Sequence, residues 1–214
     1  MIFVDRKLYG KAHNWKIGQE QAWTNPGSYS FTVPDTGDYE VIVVSGGGGG
    51  AGGSYSMLLQ KRYRNPIGGS GGGTSGSSMT IRLIKDDVVR VYVGTGGKGG
   101  SSAMGGGSKT AGKYGTASAF GDIAGIEGAP ASSTGLGPGS PGDGHGNIGS
   151  SGEHGFGEPE ITLQCAHGGI GYSYEGVTYG AGGDGGWFPD DAKSLVDGGK
   201  GGDGLVVVRL LAYA

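Results

Sequence analysis

The run "VIVVSGGGGGAGG", Val41–Gly53, constrains this chain more than any other stretch. Four β-forming residues, Val41 to Val44, lead through Ser45 into five consecutive glycines. Ordering a glycine in a regular element costs about 0.5–1 kcal/mol more than ordering an alanine. The chain holds 54 glycines in 214 residues. Together they cost roughly 27–54 kcal/mol, more than the ~5–15 kcal/mol net stability of a domain. Such segments either form a flexible Gly/Ser linker or are held by something other than side-chain packing. The ordered solution is the extended left-handed polyproline-II-type helix, with three residues per turn and about 3.1 Å per residue. A lone rod of this kind leaves every N–H and C=O unpaired, which a buried backbone does not tolerate. Rods packed side by side bond to one another, and glycine Cα hydrogens add weak C–H···O contacts. A β-carbon on an inward face would push the rods apart, so Gly48→Val is expected to overpack the bundle by about 1–3 kcal/mol or more.

Strand signals alternate with the glycine blocks. "SYSFTV" alternates polar and apolar residues, "PDTG" supplies a turn and "DYEVIVV" returns, so residues 28–44 read as a hairpin. "SMTIRLI", "KDD" and "VVRVYVG" read as a second hairpin over 78–94. "EITLQCA" (160–166) and "GYSYEGVTYG" (171–180) read as a third pair. "GLVVVRLLAYA" closes the chain and is expected to pair with Val41–Val44 or Val88–Val93. Helix is limited to short turns within 14–23 and 190–197. Glycine segments lie at 46–53, 68–76, 94–107, 135–157, 180–186 and 197–204. The expected fold is therefore mainly β and irregular: a small strand base continuing into a sandwich of polyglycine rods. Only four glycines precede Ser45. The expected division is a lead-in segment over 1–27 and a glycine-rich domain over 28–214.

Composition excludes several classes of function. The net charge is -3 and the basic residues are scattered, with no basic stripe for nucleic acid and no polybasic lipid-binding segment. No apolar run is long enough to cross a membrane as a helix, and the first residues lack the apolar core of a signal peptide. Synthesis in a cytoplasm is expected. Cys165 is the one cysteine, so neither a disulfide within the chain nor a cysteine zinc site can form. The four histidines have no paired-ligand spacing, and Asp143–His145 and Glu153–His154 lack a nucleophile and an orienting partner. Gly-x-Gly-x-x-Gly recurs through composition alone, without the strand–turn–helix context of a dinucleotide site. No enzyme, cofactor or metal is expected. The competing motif is "GGKGGDGL" (198–205), which fits a calcium β-roll repeat. Its partial copy at 179–187 places Asp184 19 residues before Asp203, out of the nine-residue register.

The order of these pieces resembles the glycine-rich domains of bacteriophage tail-fibre proteins and tip adhesins. "SFTVPDTGDYEVIVVSGGGGGAGG" is similar to that family's opening, and "DDVVRVYVGTGGKGG" to its middle strand with glycines. "GTASAFGDIAGIEGA" is similar to the segment leading into its next block, and "GGKGGDGLVVVRL" to its closing strand. The resemblance covers residues 28–210. It implies a rigid rod sandwich whose distal loops bind a host receptor, here a bacterial outer-membrane protein or surface glycan. It also implies a carrier tail-fibre protein as second partner and a place at the distal end of the virion's tail fibre. The glycine blocks are shorter than is usual in the family and carry insertions such as "SYSMLLQKRYRNPI". A structural spacer without a ligand is the alternative reading.

Large side chains beside glycine loops separate the two readings, because a spacer has no use for them. The candidate receptor-contacting residues are Tyr55, Tyr63, Arg64, His154, Phe156, Tyr172, Tyr174, Tyr179, Trp187 and Phe188. Tyr172 and Tyr174 also fit strand alternation, which leaves a structural role open. Tyr29, Phe31, Tyr39 and Tyr92 fit core or sheet-face positions. Trp15 and Trp23 are expected to anchor the lead-in segment to the base or to a carrier.

Overall fold

The computed structural model describes residues 13–57, 64–67, 75–104, 108–122, 167–186 and 196–214, with backbone alone described for 54–57, 64–67 and 104. The chain is mainly β, with no α-helix among the described residues. Its strands are β1 (Glu20–Trp23), β2 (Gly27–Thr32), β3 (Gly37–Val44), β4 (Ser54–Met57), β5 (Arg64–Ile67) and β6 (Gly76–Leu83). There follow β7 (Val88–Val93), β8 (Ala103–Met104), β9 (Ala119–Phe120), β10 (Tyr172–Tyr174), β11 (Val177–Tyr179) and β12 (Leu205–Tyr213).

Two sheets form the base. One has the order β1-β12-β3-β6 and the other β2-β7-β9. The closing strand does pair with Val41–Val44, through Leu205↔Val44 to Val208↔Val41, and β1 covers its other edge. Strand β3 is buried on both faces, as its unbroken apolar run requires. Between the sheets lie Phe31, Val33, Tyr39, Val41, Val43, Val91, Phe120, Val206, Val208 and Leu210. Phe31 is central, 5.8 Å edge-on from Trp23 and 6.0 Å from Phe120 between ring centroids.

The two expected hairpins are instead corners that cross the sandwich. Strand β2 pairs with β7, while β3 pairs with β12 and β6. The residues 33–36 and 84–87 join one sheet to the other, tied by Val33 N–H to Asp87 O and Asp86 N–H to Val33 O, both 2.9 Å. The physical reason is face matching. Strand β2 buries one face, and β3 needs apolar neighbours on both. Joined as a hairpin in one sheet they would not face each other across the core.

The lead-in residues belong to the base as well. Trp23 is buried in the core and Trp15 packs against it, 5.7 Å from Phe31. No structural break falls at residues 27/28. The buried Asp35 carboxylate accepts the N–H groups of Asn14 and Trp15 at 2.7 and 2.8 Å. Burial alone would raise its pKa, but these two amides, with His13 and Lys85, outweigh it and hold the carboxyl below the usual range.

From the base rises a bundle of extended glycine rods. Six lie among the described residues: rod 1 (46–53), rod 2 (94–102), rod 3 (108–117), rod 4 (167–171), rod 5 (180–186) and rod 6 (197–204). Rod 1 is central. Its Gly46, Gly49 and Gly52 N–H groups donate to Thr116, Lys113 and Thr110 of rod 3 at 3.1, 2.9 and 3.0 Å. Gly47 and Gly50 donate to Gly202 and Gly199 of rod 6 at 2.8 and 3.0 Å. Carbonyls of Gly47 and Gly50 accept from Gly97 and Gly100 of rod 2, and those of Gly48 and Ala51 from Gly183 and Gly186 of rod 5. Each partner thus recurs every three residues. A strand would alternate every two, so the repeat is that of a three-fold extended helix. Rod 1 leaves β3 and spans ~22 Å at about 3.1 Å per residue.

Two faces of rod 1 exclude a β-carbon. One placed on Gly47 or Gly50 would strike the carbonyl of Ala181 or Asp184 on rod 5, and one on Gly46, Gly49 or Gly52 would strike rod 2. The third face, by the three-residue repeat, holds Ser45, Gly48 and Ala51, and Ser45 and Ala51 are fully buried with their β-carbons accommodated. Gly47 and Gly50 are therefore direct probes of this packing.

Rod 3 was not foreseen. "SKTAGKYGTA" has only Gly112 and Gly115, but an outer rod needs glycine on its inward face alone, and these two sit against the Gly49 and Gly46 carbonyls of rod 1.

Candidate functional site

Chain direction gives the bundle two ends. Rod 1 leaves β3, rod 2 leaves β7 and rod 6 enters β12, so Ser45, Gly94 and Gly204 mark the base end. Gly53, Ser102, Gly186 and Val196 mark the distal end.

Residues 171–180 form a hairpin of their own; the partner expected for them, 160–166, lies outside the described residues. Strands β10 and β11 pair as Tyr172↔Tyr179 and Tyr174↔Val177. Glu175 and Gly176 make the tight turn with φ of 48° and 79°, the left-handed pair that two-residue hairpin loops require. This hairpin sits at the base end. Tyr172, Tyr174 and Tyr179 are partly buried against Ile42, Val44, Leu205 and Val207, covering the outer face of the four-stranded sheet. The Tyr174 hydroxyl donates to Glu20 Oε1 at 2.8 Å. Arg209 binds Glu20 Oε2 at 2.6 Å and Glu40 Oε2 at 3.0 Å, so three adjacent strands are clamped in one row. Burial, then the Glu20 carboxylate, push the Tyr174 hydroxyl up to about 12. The Tyr174 hydrogen bond and Arg209 outweigh burial at Glu20 and hold it below its usual range. These three tyrosines brace the base, away from the distal loops where they were expected.

The distal end is pinned by one side chain. Ser102 Oγ accepts the Gly53 N–H at 2.9 Å and donates to Val196 O at 2.7 Å, while the Ser102 N–H donates to Asp197 Oδ1 at 2.7 Å. Gly186 lies so close that a β-carbon on it would stand 2.5 Å from Ser102 Oγ, 2.6 Å from Val196 O and 2.7 Å from Gly53 N. Four chain segments therefore converge on Ser102 where they leave the bundle. Rod 1 continues as β4, which pairs with β5 on one side and with β8, the continuation of rod 2, on the other. Tyr55 lies on β4 opposite Pro66, and Arg64 on β5 opposite Met57. Trp187 and Phe188 follow Gly186 directly. Tyr63, His154, Phe156, Trp187 and Phe188 lie outside the described residues. Of the ten candidates, Tyr55 and Arg64 are thereby placed at the distal end by their own strands.

Aspartates cap the seams between rods. Asp203 Oδ1 accepts the Gly96 N–H and the Lys200 ammonium, both at 2.9 Å. Burial raises its pKa, but these two donors more than compensate. Asp184 Oδ1 accepts the Gly168 N–H at 2.9 Å, with His167 3.7 Å away. The two β-roll-like aspartates thus sit on antiparallel rods, with Gly199 N–H donating to Asp184 O, and not on stacked turns. Among the described residues no three His, Cys, Asp or Glu side chains converge as a metal site.

Sequence reasoning missed Ser102, Asp197 and Ser118. Ser118 is fully buried, accepts the Gly94 N–H at 2.9 Å and donates to Val44 O at 2.7 Å, joining rod 2 to β3. The available signal was a short polar side chain at each point where a rod meets a strand. No protein-family model matches this chain, and no curated protein is similar enough to count as a relative.

Proposed function

We propose that this chain is the receptor-binding tip of a phage tail fibre, carried on a fibre protein and recognising a bacterial surface protein or glycan. One observation carries the reading: the convergence of Gly53, Ser102, Gly186 and Val196 at the end of the bundle farthest from the base. Loops leaving one pinned point on a rigid scaffold start with little freedom, which lowers the entropy lost on binding. The inward faces of the rods are mostly glycine, so large apolar anchors fall mainly to the segments that interrupt them, with Trp187 and Phe188 the leading ones. The likeness to tail-fibre adhesins points the same way. A spacer role is the competing reading, and it gains from the base position of Tyr172, Tyr174 and Tyr179.

Binding of the purified chain to bacterial envelope fractions tests the proposal. Specific retention is expected, and Trp187→Ala should cost ~2 kcal/mol or more of affinity with its melting temperature little changed. No retention by any envelope fraction favours the spacer. Full binding by a stable Trp187→Ala protein removes that residue from the contact.

A further inference from the structure

Rods 2 and 3 run side by side, and their exposed side chains meet as three rungs. Backbone bonds fix the pairing: Thr116 N–H to Thr95 O at 2.9 Å, Lys113 N–H to Lys98 O at 2.7 Å and Thr110 N–H to Ser101 O at 2.9 Å. All six side chains are exposed. Successive rungs stand three residues apart, about 9 Å along the rods.

The outer rungs each close a second bond. Thr95 N–H donates to Thr116 Oγ1 at 2.7 Å, and Ser101 N–H donates to Thr110 Oγ1 at 2.7 Å. The middle rung cannot do this. Opposite the Lys98 N–H stands Lys113, whose ammonium only donates. Among the described residues the Lys98 N–H has no acceptor, and neither lysine has a carboxylate within ion-pair distance. The nearby aspartates serve other donors: Asp203 holds Gly96 and Lys200, and Asp197 holds Ser102. Two lysines therefore occupy one backbone-paired rung, around an N–H that has no partner among the described residues. Neighbouring like charges destabilise, and this one repulsive rung stands between two that are fully bonded.

We infer that the Lys98–Lys113 rung binds an oxyanion of the phosphate type. One oxygen accepts the Lys98 N–H, where the rungs above and below have a threonine oxygen. The remaining oxygens lie between the two ammonium groups. Hydrogen bonds to charged groups are roughly twice as strong as neutral ones, and a backbone N–H flanked by cations is a recurring anion-binding arrangement. Phosphate offers enough oxygens to meet all three donors at once, whereas a carboxylate has two. A free phosphate ion and a phosphate group carried on a polymer share this chemistry.

The test uses the full chain at low ionic strength, with inorganic phosphate and inorganic polyphosphate as titrants in calorimetry. Lys113→Thr is the informative variant. It removes one cation and gives the Lys98 N–H the same threonine partner as its neighbours. Binding should weaken at least tenfold, while the melting temperature without titrant stays equal to or above that of the parent. Tighter binding of polyphosphate per phosphate group assigns a polymer ligand, and equal binding assigns the free ion; either supports the site. A parent chain that binds neither titrant, or a Lys113→Thr protein that binds as tightly as the parent, overturns it. Receptor binding through the distal loops can stand or fall separately, because Lys113→Thr leaves those loops unaltered.

Discussion

Gly50→Ala probes the rod packing with a single methyl group. A β-carbon on Gly50 would fall 1.9 Å from the Asp184 carbonyl oxygen and 2.8 Å from that of Gly183. Non-bonded heavy atoms are most stable at about 3.5 Å or more, so rods 1 and 5 would have to separate by roughly 1.5 Å. That seam is held by Gly183 N–H to Gly48 O and Gly186 N–H to Ala51 O, both 2.8 Å. Neither bond survives such a shift. Overpacking costs about 1–3 kcal/mol, and each buried backbone group left unpaired costs about 1–3 kcal/mol more. A total of roughly 3–6 kcal/mol is a large part of the ~5–15 kcal/mol that holds a domain together. At about 2–4 °C per kcal/mol for a chain of this size, melting should fall by on the order of 10 °C. Thermal denaturation followed by circular dichroism measures it, with Tyr114→Ala on an exposed rod position as the control. A Gly50→Ala protein that melts with the control refutes the close packing of these rods.

Ser118→Ala should lower stability by about 1–3 kcal/mol, since it strips the buried Gly94 N–H and Val44 C=O of a partner; chemical denaturation gives the value. Tyr174 titrates about 12 when folded and near 10 when free, so its contribution is complete below about pH 10 and is lost as pH rises towards 12. Tyr174→Phe should erase that alkaline limb, seen in denaturant midpoints at about pH 9 and about pH 11.5. Glu20 and Asp35, both depressed, act in the opposite sense: their contributions are present above the ordinary carboxylate range and fade as pH falls through the lowered values. Deleting residues 205–214 removes Leu205, Val206, Val207, Val208 and Leu210, none more than 1% exposed, and should leave insoluble protein on expression.

Local pattern made the strands legible, and glycine spacing made most of the rods legible. Val41–Val44 announced a strand buried on both faces, and Leu205–Val208 announced a second, with Val41–Val44 and Val88–Val93 both open as its partner. Pairing was another matter. The turns at 34–37 and 84–87 look alike whether the chain folds back beside itself or crosses to a facing sheet. The choice is made by partners far away in sequence, such as Val207 for Ile42 and Arg90 for Ser30. Rod 3 was hidden because an edge rod keeps only every third glycine. The Tyr172–Tyr179 segment could have been read from Glu175–Gly176, a two-residue turn between alternating aromatics. At the distal end the sequence identified apolar rings beside glycines, while the Ser102 hub depends on four segments up to 143 residues apart meeting at one point, from Gly53 to Val196. No local pattern encodes that.

With their amides bonded from rod to rod, the glycine segments outside any β-ladder should be held as cooperatively as the strands. Amide hydrogen exchange followed by NMR tests it at individual residues. Gly47, Gly50, Gly97, Gly100, Gly183 and Gly201 all donate hydrogen bonds to other rods. Their protons should exchange as slowly as those of Val43 and Val207 in the core strands, through global unfolding. Exchange of these glycine amides at the rate of exposed loops, with the strands still protected, would contradict the account.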